Sequence, residues 1–372
     1  MPRPATGRVP RLALVLLFVS LLLQSPPAPG AAPPVLLTVA TGVSPEATAE
    51  NSQRKLLADP AGRLFLTFIR PVQGTDQVSL AESADGGRTW RTTQVTRDSH
   101  PARLPSLALF PEGSLHLVWT EYAPVGRIYH AARRGGRWTE PAGLSTPGIY
   151  AGIPVVAPRG GRAHVLWYGI LPERPSVRTR HGSVYEIVFT RQEGAGWSRP
   201  VSISAGIPDS LNPSMTAGSG GRLHAAWYQF DSRVYQIRYA VFDGGWSSRY
   251  LTGGPAEHTA VALETSDRDV HLVWVEHGAA RRVVYLRLGA APEVLATGSV
   301  HDPVLAVAGG RVVAAWRQDN AIVLRQVRPL GAPVRVGEGS GPVVVLRGAV
   351  AYVAWTTADA LPNLRFAAIP LR

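Results

Sequence analysis

The sequence contains no cysteine. This absence excludes disulfides, thiolate metal ligands, a cysteine nucleophile and a lipidated N-terminal cysteine. Lysine is almost absent as well, since Lys55 is the only one and every other basic residue except histidine is arginine. The arginines are scattered without a run of five or six, so the formal net charge of +12 does not mark a nucleic-acid surface. No nucleic-acid partner is therefore predicted.

Long apolar runs are missing beyond the N-terminus, so no membrane span is predicted there. At the N-terminus, three arginines precede an apolar run at residues 12–23, and small residues follow it. The run is shorter than the roughly 20 residues of a transmembrane helix. We interpret residues 1–31 as a signal peptide, with an uncleaved N-terminal anchor as the alternative. The prediction is an exported protein, secreted or in the cell envelope, whose single domain is 32–372.

What the chain does contain is a repeated stretch of the form Gly-x-Leu-His-x-Val-Trp. The copies end at Phe68, Trp119, Trp167, Trp227, Trp274, Trp316 and Trp355. Their spacing, roughly 40 to 60 residues, is typical of propeller blades and other repeat units. The repeat therefore indicates fold more than function.

Each copy lies in a unit of four short apolar or β-branched runs separated by glycine-rich turns, which is typical of an antiparallel meander. The last unit lacks its fourth run, but residues 35–42 resemble the fourth run of the fifth unit, 294–298. Pairing the N-terminal strand with the last unit would leave no open sheet edge. We predict an all-β fold, a seven-bladed β-propeller closed by the N-terminal strand, with six blades as the alternative.

Four copies carry histidine three residues before the tryptophan: His116, His164, His224 and His271. Equivalent positions of a propeller lie on different blades, too far apart to share an ion. We therefore interpret these histidines as structural and predict no metal site and no cofactor.

Residues 83–90, Ser-Ala-Asp-Gly-Gly-Arg-Thr-Trp, match the pattern Ser-x-Asp-x-Gly-x-Thr-Trp. This motif resembles the Asp-box of the sialidase-like propeller superfamily, and shorter copies occur at 135–138, 194–197 and 243–246. Locally, Asp85 can accept hydrogen bonds from turn amides while the glycines permit positive φ. The turn joins the third and fourth strands, on the face opposite the ligand-binding mouth, so the motif is predicted to serve folding.

Function is expected on the mouth face, in the loops that enter the first strand and leave the second strand of each unit. Aromatic side chains beside acids and amides suit sugar recognition. The predicted ligand-binding residues are Arg70, Arg103, Glu121, Tyr168, Arg174, Arg178, Tyr228, Asp231, Glu276, His301, Asp302, Arg317 and Asp319. A long insertion at 169–182 contains two of these arginines, and it favours an anionic ligand.

Sialidases bind the substrate carboxylate with three arginines, use a Tyr–Glu nucleophile pair and usually have six blades. The resemblance implies Arg70, Arg103 and Arg317 as the arginines. It offers Tyr168, Tyr228, Glu121 and Glu276 as weak catalytic candidates. Seven units and a single intact Asp-box depart from that pattern.

The leading hypothesis is therefore a propeller, expected to be a monomer, that binds a glycan, another anionic ligand or a protein partner without catalysis. A sialidase-type glycoside hydrolase acting on an acidic sugar is the first alternative. A scaffold in a cell-envelope complex is the second.

Overall fold

Short β-branched and aromatic runs, many of them ended by a glycine turn, form strands of two to nine residues arranged in consecutive antiparallel sheets. The computed structural model describes residues 35–171, 184–204 and 209–372, with the backbone alone of 178–179 and 182–183. In the described residues, one 3₁₀ turn at Ser219–Gly221 is the only helical element.

Blade 1 follows the N-terminal strand β1 (Leu36–Thr41) and contains β2 (Leu56–Ala58), β3 (Leu64–Val72), β4 (Thr75–Ser83) and β5 (Arg91–Gln94). Blade 2 contains β6 (Ala102–Leu109), β7 (Leu115–Tyr122), β8 (Gly126–Arg134), β9 (Arg137–Trp138) and β10 (Ala142–Gly143). Blade 3 contains β11 (Ala151–Arg159), β12 (Arg162–Gly169), the hairpin β13 (Arg178–Thr179) and β14 (Gly182–Ser183), then β15 (Glu186–Glu193), β16 (Gly196–Trp197) and β17 (Val201–Ser202). In blades 2 and 3 the predicted fourth strand is split into two short pieces, both paired with the third strand.

Blade 4 contains β18 (Ser210–Ala217), β19 (Leu223–Phe230), β20 (Tyr235–Phe242) and β21 (Trp246–Tyr250). Blade 5 contains β22 (Glu257–Thr265), β23 (Val270–His277), β24 (Arg281–Arg287) and β25 (Glu293–Thr297). Blade 6 contains β26 (Val300–Ala308), β27 (Arg311–Gln318), β28 (Ala321–Arg328) and β29 (Pro333–Glu338). Blade 7 contains β30 (Ser340–Arg347), β31 (Val350–Thr356) and β32 (Asn363–Pro370).

The ring closes through the N-terminal strand. Strand β1 pairs antiparallel with β32, opposite Asn363 to Ala367, which completes the sheet order β1-β32-β31-β30. This pairing covers the edge that the missing fourth strand of blade 7 would expose. The predicted seven-bladed propeller with N-terminal closure is therefore confirmed, and the six-bladed alternative is wrong.

The core of the described chain consists of seven apolar clusters, each shared by two neighbouring blades. In each cluster the repeated aromatic residue of one blade lies together with residues of the preceding blade; Trp119, for example, shares a cluster with Leu80 of blade 1. Phe68 plays this part between blades 7 and 1. The repeat is therefore the sequence pattern of the blade-to-blade interface.

Six of the inner strands carry a β-bulge near their mouth end. The residue with positive φ in each bulge is Leu104, Ile153, Asn212, Ala260, Asp302 or Gly341. A bulge interrupts the ladder and re-aims the chain. Pro105 lies inside β6 at such a bulge, because the interrupted ladder tolerates a residue without an N–H.

A linker, residues 42–55, runs from β1 of blade 7 to β2 of blade 1, and its last part fills the axis of the ring. The Asn51 side-chain amide donates to the carbonyls of Ala260 (2.7 Å) and Pro303 (2.8 Å). The Gln53 amide donates to the carbonyls of Leu104 (2.6 Å) and Pro154 (2.8 Å). We call residues 50–55 the plug, because they join four blades across the axis and leave a cavity of only ≈ 40 Å³ beneath them.

Three of the repeated histidines form hydrogen bonds to side chains of their own blades. His224 Nδ1 lies 2.6 Å from the Tyr239 hydroxyl and His271 Nδ1 lies 2.7 Å from that of Tyr285, each within its own blade. His116 Nδ1 lies 2.9 Å from His130 Nε2. Burial lowers the pKa of His116 to about 4, so it is neutral at physiological pH.

Candidate functional site

The mouth face is the face at which the bulges of the inner strands lie, and a cleft opens there above the plug. The cleft has a volume of ≈ 260 Å³. It is lined by Pro45, Glu46, Ala49, Glu50, Asn51, Asn212, Tyr228, Thr259, Ala260, Asp302, Ser340 and Gly341. We call it the axial cleft. One wall comes from the linker and the other from the inner strands of blades 4 to 7.

The bulges decide which side chains reach the axial cleft. Asn212 and Asp302 occupy equivalent bulge positions of blades 4 and 6, with φ of 51° in both. At the equivalent bulge positions, blade 5 has Ala260 and blade 7 has Gly341, and both residues line the cleft. Two polar side chains therefore frame positions that carry almost no side chain, which leaves room for a ligand.

Glu50 lies where the plug meets the axial cleft, with a φ of 69° that is rare for a residue with a side chain. The Asn212 side-chain amide donates a hydrogen bond of 3.1 Å to Glu50 Oε2. Burial raises the pKa of Glu50; the charge of Lys55 opposes this rise, and Asp302 and Glu46 add to it. Unusual backbone and a perturbed carboxyl at one position are typical of a functional site.

Lys55 lies behind Glu50 and is 1% exposed. Its Nζ donates to the Glu50 carbonyl (3.0 Å) and to Gln53 Oε1 (3.2 Å). Burial lowers the pKa of Lys55 to about 7, while the charge of Glu50 opposes the fall. The lone lysine therefore stabilises the plug from within rather than presenting a charge to the mouth.

Several tyrosines lie on the mouth face, and Tyr168 and Tyr228 are close enough to Glu50 for its charge to act on them. Tyr150 and Tyr168 share a hydroxyl hydrogen bond of 2.8 Å, and Tyr185 packs against both rings at 5.5 and 5.3 Å. On the far side, Tyr228 packs edge-on against Tyr235 at 5.3 Å. Burial raises the pKa of Tyr168 to about 12 and raises that of Tyr228 further, and the charge of Glu50 contributes to both shifts. The phenols of Tyr168 and Tyr228 therefore stay protonated at neutral pH and can donate hydrogen bonds.

Of the residues predicted from the sequence, Tyr228 and Asp302 line the axial cleft. Tyr168 lies in the tyrosine group beside it. Asp231 caps a tight turn by accepting the backbone N–H groups of Arg233 (2.9 Å) and Val234 (3.0 Å).

The three arginines proposed for a substrate carboxylate stand on blades 1, 2 and 6, and none of them lines the axial cleft. Arg70 is half-buried in β3. Arg103 pairs with Asp76 at 2.6 Å, and Arg317 lies 3.7 Å from Asp302. Two of the three guanidinium groups are thus already partnered by carboxylates.

The remaining predicted residues lie towards the rim. Glu276 pairs with Arg282, the ring of His301 contacts Arg281 Nη1 at 3.0 Å, and Asp319 is an exposed turn residue. Arg174 and the side chain of Arg178 lie outside the described residues.

Glu121 is 8% exposed and belongs to a group with Asp98 and His100 whose ligand atoms lie within 4.8 Å of one another. Burial, and then the charge of Asp98, raise the pKa of Glu121. The donor types suit a divalent cation. However, His100 Nδ1 already lies 3.1 Å from Asp98 Oδ1, and Arg127 stands close enough for its charge to act on Glu121. We therefore assign no ion to this group.

The Asp-box folds as its residue types indicate. Asp85 Oδ1 accepts the Thr89 N–H at 2.9 Å and Oδ2 accepts the Thr89 hydroxyl at 2.6 Å. These bonds lower the pKa of Asp85 to about 2. The turn follows the end of β4, opposite the end where β4 begins near the mouth, so it takes no part in the axial cleft.

Sequence reasoning did not select Glu46, Glu50, Asn212 or Tyr150 as ligand-binding residues. Asn212 meets Glu50 only because blade 4 and the linker converge on the axis, 162 residues apart in sequence. The one local signal was the unusual length of the linker compared with the six residues between β21 and β22.

No model of a known protein family matches the sequence, and no curated protein matches it. Solved structures do match. An ulvan lyase, a polysaccharide lyase bound to -[GlcA(1-4)Rha3S]-, is similar with a TM-score of 0.59 and 12% identity, covering 88% of this chain and 94% of the lyase.

Two other similar structures have comparable scores. An α-L-arabinofuranosidase from Fusarium graminearum has a TM-score of 0.52 at 11% identity, covering 90% of this chain and 98% of the other. A Trypanosoma rangeli sialidase has a TM-score of 0.51 at 11% identity, covering 90% of this chain and 60% of the sialidase. At these identities the likeness concerns the fold. The resemblance to sialidase-like propellers is thus confirmed at the level of architecture.

In the described residues no helix has the length and apolar character that a bilayer crossing needs.

Proposed function

We propose that this protein binds a glycan in the axial cleft and performs no catalysis of its own. The observation that carries the proposal is the lining of the cleft: a half-buried Tyr228 ring, the Asn212 amide and the Asp302 carboxylate face one space. A ring face covers the apolar face of a sugar, while amides and carboxylates take its hydroxyl groups. At ≈ 260 Å³ the cleft is close to the lower end of ligand sites, roughly 300–1,000 Å³, and suits one or two sugar units.

Rigidity supports the same function. The cleft floor is the plug, whose side-chain amides tie four blades together across the axis. A site held on bulged inner strands and a fixed floor loses little conformational freedom on binding. The similar structures include proteins described as a polysaccharide lyase, an arabinofuranosidase and a sialidase, which supports a saccharide as the ligand class.

A glycoside hydrolase is the second candidate, because Glu50 combines a raised pKa with a place among tyrosines. Such a carboxyl can act as a general acid near neutral pH. Against nucleophilic catalysis, the pKa values of Tyr168 and Tyr228 are raised by burial and by the charge of Glu50. A tyrosine nucleophile needs help to lose its proton, and these surroundings oppose that loss. Binding without catalysis is therefore favoured.

The test is binding of residues 35–372 to a glycan array, followed by titration calorimetry with the best ligand. Tyr228→Ala and Asn212→Ala should each weaken binding about tenfold or more, as expected for central contacts of a small site. The matched control is Tyr250→Ala, which removes an exposed tyrosine of the outer strand of blade 4. Failure of every array glycan to bind would contradict the proposal.

The same preparation tests catalysis. Incubation with the bound glycans, with fluorogenic sialosides and with arabinofuranosides should release no product. Turnover that Glu50→Gln abolishes would replace the binding proposal with the hydrolase.

We propose further that binding takes place outside the cytoplasm, on the pattern of residues 1–31 described above. Fractionation of cells that express the full chain, with N-terminal sequencing of the product, tests this proposal. Light scattering of the purified protein tests the expected monomer.

A further inference from the structure

The charge of the axial cleft is opposite to the one that an acidic sugar needs. Among the described residues that line it, Glu46, Glu50 and Asp302 are acidic, and none is arginine or lysine. Arg317 forms an ion pair with Asp302 at 3.7 Å, but it does not line the cleft. Lys55 is buried behind the Glu50 backbone. The charged side chains that a ligand contacts in the cleft lining are therefore carboxylates.

The aromatic groups around the cleft also favour a cationic ligand. The face of a tyrosine ring carries partial negative charge and attracts a cation within about 6 Å. Tyr228 lines the cleft, and Tyr235 supports its ring edge-on at an interplanar angle of 90°. Tyr235 itself donates its hydroxyl proton to Asp209 at 2.9 Å, which holds a further carboxylate on this side of the mouth.

The titration of neighbouring groups agrees with this geometry. The pKa of Tyr228 is raised first by burial and then by the charges of Glu50, Tyr235, Asp209 and Glu257. Glu50 has its own pKa raised by burial and by Asp302 and Glu46, against the effect of Lys55. Burial is the largest cause of both shifts, and the neighbouring carboxylates add a smaller contribution that a bound cation would oppose.

We propose that the axial cleft selects saccharides that carry a protonated amine, with the ammonium group placed between the Asp302 and Glu46 carboxylates and the Tyr228 ring. This inference rests on the proposed glycan-binding function and names its ligand class. It is opposite to the anionic ligand that Arg174 and Arg178 suggested from the sequence, and the experiment below contains an arm for each.

The experiment is titration calorimetry of residues 35–372 with three tetrasaccharides: the β-linked tetramers of glucosamine and of N-acetylglucosamine, and the α-linked tetramer of galacturonic acid. At about pH 6 most of the free amine is protonated, taking as the comparable primary amine the α-amino group of a peptide, which titrates at roughly 7.7–8.0. The glucosamine tetramer should bind about fivefold or more tighter than its N-acetylated counterpart, the upper range for one partly exposed ion pair. The galacturonic acid tetramer should bind more weakly than either.

Asp302→Asn keeps the size of the side chain and removes one charge. It should reduce the preference for the amine to about twofold or less and strengthen binding of the uronic acid. Glu338→Gln, at an exposed acid on the outer strand of the same blade that does not line the cleft, should leave the preference unchanged.

Equal affinity for the amine and its acetylated form, or tighter binding of the uronic acid, would overturn the inference. In both cases the glycan-binding function would stand. Absence of binding by all three tetrasaccharides would also overturn the inference, and the proposed function would then depend on the glycan array.

Discussion

The Asn212 side chain donates a hydrogen bond of 3.1 Å to the Glu50 carboxylate, across the axis of the ring. Asn212 occupies a bulge in the inner strand of blade 4, and Glu50 begins the plug that precedes blade 1. The contact therefore links the ring, its floor and its candidate ligand site. The first prediction concerns that floor.

Gln53→Ala should destabilise the protein by about 1–3 kcal/mol, because the carbonyls of Leu104 and Pro154 would lose their buried donor. Guanidinium unfolding followed by tryptophan fluorescence measures the change. Asn320→Ala, which alters an exposed turn residue, is the control and should be neutral. An unchanged midpoint for Gln53→Ala would mean that the plug does not hold the inner strands together.

Deleting residues 35–41 should lower the free energy of unfolding by several kcal/mol, on the order of 3–5, since blade 7 would lose its outer strand and expose the edge of β32. Thermal unfolding monitored by circular dichroism tests the prediction. The substitution Leu36→Ala, at a side chain that is 47% exposed, keeps the strand and should cost little. Equal melting temperatures for the deletion and the parent would contradict closure by β1.

Trp227→Ala should cost about 3–5 kcal/mol, because the indole is fully buried between blades 3 and 4 and its removal leaves a cavity. Trp227→Phe should cost less, since it keeps most of the apolar volume. Chemical unfolding of the three proteins provides the comparison. A near-neutral alanine variant would mean that the repeated tryptophans do not form the blade interfaces.

Acid should destabilise the fold through the His116–His130 pair. Burial lowers the pKa of His116 to about 4 and that of His130 to about 3, whereas an unfolded histidine titrates at 6.5. The unfolded state therefore binds more protons below pH 6.5, and the stability that the neutral pair provides is lost as pH falls from 6.5 towards 4. His130→Gln should show a shallower loss of unfolding free energy over this range. An identical pH slope in both proteins would count against the neutral pair.

Asp85→Ala should lower the melting temperature and leave glycan affinity unchanged, because the Asp-box turn lies at the opposite end of blade 1 from the mouth. Scanning fluorimetry and calorimetry on the same sample separate the two effects. Lost affinity without lost stability would place the ligand on the Asp-box face.

How much of the structure could be predicted from the sequence depends on the sequence separation of the interacting residues. The repeated Trp and the turn glycines act within a blade and its neighbour, so the seven blades could be predicted, as could closure by the N-terminal strand. The plug could not, because Asn51 meets Ala260 and Pro303 over separations of 209 and 252 residues. For the same reason Tyr228 and Asp302 were selected as ligand-binding residues, while Glu50 and Asn212 were not.

The central claim is that a saccharide binds at the axial cleft. The most direct measurement is a crystal structure of the protein soaked with the tightest array ligand at about ten times its Kd, where roughly nine sites in ten are occupied. The account predicts a sugar ring against Tyr228, with hydroxyl or amine groups within hydrogen-bond distance of Asn212 and Asp302. Density for the ligand on the Asp-box face or on the outer strands, with the axial cleft empty, would contradict it.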